Sequence, residues 1–86
     1  MLSPEQSRAA RAWLGWGQDE LARRAKVGLS TVRDFERGAR EPIQNNREAM
    51  QRAFEAEGVR FLFEGDVGRG IEVTPIASSR SVSQAS

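Results

Sequence analysis

The sequence predicts a mostly α-helical protein, a compact bundle of four helices followed by a C-terminal β-hairpin. Three observations carry this expectation. Apolar residues recur at intervals of three and four in four successive segments before Gly58. After Gly58 the period drops to two, in "VRFLFEGDVGRGIEVTP". The chain has 86 residues, enough for one domain with a modest core and too few for a second.

The first helix starts beside Ser3. Ser3 stands as N-cap, Pro4 at the first helical position and Gln6 three residues after the cap, which is capping-box spacing. Gly15 ends it, a residue free to adopt the left-handed backbone that closes many helices. Ala10 and Leu14 fall on the inner face, Trp16 packs just past the stop, and Trp13 fits either the core or an interface. A second helix runs from Gln18 to Ala25 with Leu21, Ala22 and Ala25 inward. Its acids, Asp19 and Glu20, sit in the first turn and Arg23 and Arg24 in the last, the order that suits the helix dipole. The third runs from Leu29 to Arg37 and stops at Gly38. After the loop "AREP", the stretch "QNNREAMQRAFEAEG" makes a fourth, capped by Asn45 or Asn46 and stopped at Gly58, with Met50, Ala53 and Phe54 inward. Val59, Phe61 and Phe63 share one face of the first strand and Ile71 and Val73 one face of the second, with a Gly/Asp-rich turn between and Pro75 as terminator. The expected boundaries are therefore a helical domain over 1–58, a hairpin over 59–75 and a Ser-rich, aperiodic, flexible tail over 76–86.

Composition narrows the chemistry. The chain has no Cys and no His, which removes disulfides, thiolate nucleophiles, the commonest zinc ligands and the usual general base. No catalytic residue, metal or cofactor is expected, and the protein is not expected to be an enzyme. Glu55 and Glu57 point to different faces of a helix and read as solubilising. The glycines of "GDVGRG" do not lead from a strand into a helix, so they are not a nucleotide loop. No apolar run approaches the roughly 20 residues that span a bilayer, and "MLSPEQSRAARAWLG" lacks a signal peptide's order, so a soluble cytoplasmic protein with no membrane partner is expected. The net charge of +1 divides unevenly: residues 1–47 carry nine Lys/Arg against six Asp/Glu, and residues 48–86 four against six. Such a split can turn one face toward a polyanion.

The stretch "QDELARRAKVGLSTVRDFERG" points to that polyanion. At about 100° per residue, with Leu29 at zero, Arg33 falls near 40°, Arg37 near 80°, Ser30 near 100° and Asp34 near 140°. Phe35 and Val32 fall near 240° and 300°, on the other side. A helix this short is unstable alone and must be presented by the one before it. A supporting helix, a short turn and a helix with hydrogen-bonding side chains near its start is what the DNA major groove admits. The run Gln18, Leu21, Ala22, Ala25, Val27, Ser30, Thr31, Val32, Phe35, Glu36, Arg37, Gly38 resembles the lambda-repressor-like, Cro-type helix-turn-helix family, also called the xenobiotic-response-element family, over roughly residues 5–57.

That resemblance implies a transcriptional regulator that binds double-stranded DNA as a homodimer, on a near-palindromic operator. It implies base-contacting roles for Leu29, Ser30, Arg33 and Asp34, and backbone-contacting roles for Gln18, Thr31, Arg37 and Arg40. Leu29 fits equally a thymine-methyl contact and a buried residue closing the turn. Arg11 and Glu36 match a structural ion pair between the first and third helices. Lys26 stands where the family usually has Gly, at a turn that often takes a left-handed backbone; Gly28 and Gly17 stand where caps are usual. Val59, Phe61, Phe63, Ile71 and Val73 offer more apolar surface than so small a bundle needs, and are the expected dimer interface. The alternative is a protein-interaction module, antitoxin- or antiactivator-like, that uses Trp13, the hairpin or the tail to hold an unknown protein partner.

Overall fold

The computed structural model describes residues 1–73; Pro75 and the tail 76–86 lie outside the described residues. Four helices come first: α1 (Pro4–Leu14), α2 (Gln18–Ala25), α3 (Leu29–Glu36) and α4 (Gln44–Glu55). Two strands follow, β1 (Val59–Glu64) and β2 (Val67–Val73), paired antiparallel. Among the described residues no helix is long and apolar enough to cross a membrane.

Local signals set most boundaries. The Ser3 hydroxyl accepts from the Gln6 amide at 3.1 Å while the Gln6 side chain accepts from the Ser3 amide at 3.0 Å, so the capping box is complete. Gly15 closes α1 with φ 72. Lys26 closes α2 in the left-handed region, φ 59 and ψ 44, and is the one non-glycine residue with positive φ among those described. The start of α4 departs from expectation. It begins at Gln44 with Ile43 as cap, not at Asn45 or Asn46, and no side chain caps it. The extended backbone of Ile43 lets its carbonyl accept from the Asn46 and Arg47 amides, which draws both asparagines into the first turn.

The core gathers Leu21, Ala22, Ala25, Val32, Phe35, Met50 and Phe54 from α2, α3 and α4, with Leu2 and Ala10 from the N-terminal side. Val59 and Phe61 enter it from β1. Phe54 joins the two parts, stacked on Trp16 at 5.5 Å between centroids and edge-on to Phe61 at 5.8 Å.

The hairpin turn is tighter than the Gly/Asp-rich loop expected from the sequence. Gly65 and Asp66 alone connect the strands, with Gly65 at φ 65 in the position where a two-residue turn requires glycine. Gly68, Arg69 and Gly70 belong to β2, and Arg69 is the extra residue of a bulge, since Leu62 pairs with Gly70 and Phe63 with Gly68. At that irregularity the buried Gln6 amide donates to both Leu62 O and Gly70 O, each at 2.9 Å. Gly68 makes room for it: a Cβ there would lie 2.1 Å from Gln6 Oε1.

Candidate nucleic-acid interface

α3 has two distinct sides. Val32, Phe35 and Glu36 are buried, whereas Ser30, Arg33 and Arg37 are exposed and Asp34 is half-buried. Apolar residues at the inward positions hold the helix from behind, so the polar ones are left facing out.

Glu36 fixes how that face is presented. Its carboxylate, 2% exposed, accepts from Arg11 Nη2 at 2.7 Å, from Arg11 Nε at 3.0 and 3.2 Å, from Gln18 Nε2 at 3.1 Å, and from the Ser7 hydroxyl. Arg8 caps the same turn by donating to the Glu36 carbonyl, and Arg11 reaches on to Trp16 O at 3.0 Å. One residue of α3 is thereby tied to α1 and α2 together. Burial by itself would raise the Glu36 carboxyl, but hydrogen bonds from Arg11, Ser7 and Gln18, with the Arg11 charge, outweigh it and hold the group below its ordinary value. The expected pairing of Arg11 with Glu36 is present; Ser7 and Arg8 were not foreseen. Their signal was there in part, since Ser7 stands one turn before Arg11 on the same face of α1.

The remaining site residues fall in two groups. Gln18, Ser30, Arg33, Asp34 and Arg37 line one shallow depression of about 440 Å³. Arg37 Nη2 lies 2.9 Å from Asp34 Oδ1, whereas Arg33 has no carboxylate at ion-pair distance among the described residues. Ser30, Thr31, Asp34 and Arg40 line a second depression of about 240 Å³, together with Glu41, Pro42, Ile43 and Asn46. The sequence marked Pro42 as loop and Asn46 as a helix cap, and nothing in it placed Pro42, Ile43 or Asn46 beside this face. Leu29 is half-buried and packs on the core, which favours its turn-closing role over a base contact.

The expected dimer residues do not act as one set. Val59 and Phe61, 1% and 9% exposed, are spent within the protomer, because β1 lies against α4 and their side chains complete its core. Ile71 and Val73 are half-buried, with Ile71 packed on the same core. Phe63, past the bulge, stays 39% exposed beside Leu62 at 45% and Val67 at 52%. Trp13 is surface, 59% exposed.

Set beside known proteins, the chain matches no protein-family model and no curated protein.

Proposed function

We propose that this protein is a sequence-specific DNA-binding transcriptional regulator of the Cro type, a cytoplasmic homodimer acting on a near-palindromic operator. One observation carries the reading: α3 presents Ser30, Arg33, Asp34 and Arg37 on a single outward face, next to Gln18 at the start of α2. Arg33, without a carboxylate at ion-pair distance among the described residues, suits guanine O6 and N7; Asp34 suits cytosine N4 as an acceptor. Arg37 is shared between Asp34 and solvent, so a phosphate can draw it away and leave the carboxylate to a base. Arg40 and Gln18 flank this face at positions suited to the phosphate backbone.

The test is binding to the DNA upstream of the protein's own gene, titrated against salt. Each neutralised phosphate contributes a slope near −0.9 in log affinity against log salt, so a dimer using Gln18, Arg37, Arg40 and backbone amides should show about −4 to −7. A flat response would remove DNA as the partner. The exposed Trp13 favours a second reading, a module that holds another protein. Retention of DNA binding by Trp13→Ala, with the same salt slope, separates the two.

A further inference from the structure

Among the described residues, the two-stranded sheet leaves one side of each strand without a ladder partner, and the two edges are unequal. β2 holds Gly68 and Gly70 and the unmatched Arg69, which make it an irregular template. β1 reads "VRFLFE", with no Gly, no Pro and no extra residue. Its side chains away from the helices are Arg60, Leu62 and Glu64, all exposed, and Phe63 is incompletely covered. Such a strand is suited to pairing with another chain.

We propose that β1 is the dimerisation edge, pairing antiparallel with β1 of a second copy of this chain about a two-fold axis at Leu62. Charge selects both the occupant and the register. With Leu62 opposite its own copy, Arg60 faces the second copy's Glu64 and Glu64 faces the second copy's Arg60, while Phe61 lies opposite Phe63. Sliding by two residues sets Arg60 against Leu62, or Leu62 against Glu64, and loses both ion pairs. A sheet edge matched to itself in this way is what an isologous interface requires. An axis through a residue, perpendicular to the sheet, also keeps both helical bundles on one face of the four-stranded sheet that results. Two recognition helices meant for a single duplex need that disposition. A strand pair of this length falls in the small class of interface, below roughly 1,200 Å², so self-association is concentration-dependent and two DNA half-sites tighten it.

The inference relies on the DNA-binding reading only for why a second copy is needed, and its test uses no DNA. The full chain should sediment as a monomer–dimer equilibrium in the micromolar range. Arg60→Glu places like charges across the axis twice and should weaken self-association about tenfold, with helical circular dichroism unchanged. The double variant Arg60→Glu/Glu64→Arg should return it to the wild-type value. That rescue cannot come from within the protomer, where the double swap opposes both Arg60 to Glu72, now 3.6 Å apart, and Glu64 to Arg69, now 2.9 Å. Because the chain has no cysteine, Leu62→Cys should form a disulfide-linked dimer on mild oxidation, well ahead of Arg60→Cys. A monomeric wild type, or a double variant that associates no better than the single, overturns the proposal. A dimer that behaves as expected but binds no DNA would leave the pairing standing and sink the regulator reading.

Discussion

Glu36 is the residue on which three helices converge, and its charge has a direction in pH. Glu36→Gln keeps the shape but leaves the Arg11 guanidinium, 19% exposed at its side chain, without its counter-ion. Removing one partner of a buried pair costs about 3 kcal/mol, a large share of a small domain's stability. The folded carboxyl sits below its ordinary value, so its contribution is complete above about pH 4.5 and is lost as pH falls through the folded value. Denaturant unfolding should therefore show wild type and Glu36→Gln converging below that pH. A gap that stayed constant into strong acid would mean that shape, not charge, holds the node. Lys26 is a residue-scale cost of another kind: a left-handed lysine carries about 1 kcal/mol of strain, and the turn into α3 depends on it.

At the level of elements, α3 divides its work between base and backbone contacts, and substitutions should separate them. Arg33→Ala should cost about 1–3 kcal/mol of binding and relax preference at one base pair, whereas Arg40→Ala should weaken all sequences alike. Selection from a randomised DNA pool reads both; identical base preferences in wild type and Arg33→Ala would move the groove face elsewhere. In the hairpin, Gly68→Ala drives a methyl into the buried Gln6 amide, which is already bonded to Leu62 O and Gly70 O and cannot swing aside. Losing those two bonds should cost about 2 kcal/mol, and adding Gln6→Ala should cost only the further capping bond to the Ser3 amide, about 1 kcal/mol, because the two changes otherwise break the same contact. Thermal melts of the two single variants and the double check this. These elements also show what a sequence discloses. Ser3 and Gln6 declare the cap of α1 because the box is local, and Leu21, Ala22 and Ala25 declare the inner face of α2. The second task of Gln6 was hidden because its partners lie 56 and 64 positions away. Three polar residues in a row at Gln44–Asn46 gave the start of α4 no unique cap, and Gly68 and Gly70 disguised the first half of β2 as a turn.

On the scale of the whole molecule, hairpin and bundle share one core. Removing residues 59–86 takes Val59 and Phe61 out of the core, at about 1.5–3 kcal/mol each, against a total of roughly 5–15. The helical fragment 1–58 should therefore lose its cooperative melting transition in circular dichroism, where the full chain keeps one; a fragment that melted cooperatively near the full chain's midpoint would show the bundle to be self-sufficient. The same sharing bears on how the protein reaches its fold. Gln6 caps α1 with its oxygen and grips the hairpin with its nitrogen, so the side chain that closes the first turn is fixed in place only once the last described elements arrive. Because those bonds join residues 56 and 64 positions apart, the protein should fold more slowly than a simple helical bundle of its size. The backbone hydrogen of Ser3, held by that same side chain, then exchanges with solvent at a rate set by undocking of the hairpin, so that one amide near the start of the chain reports on the state of its other end.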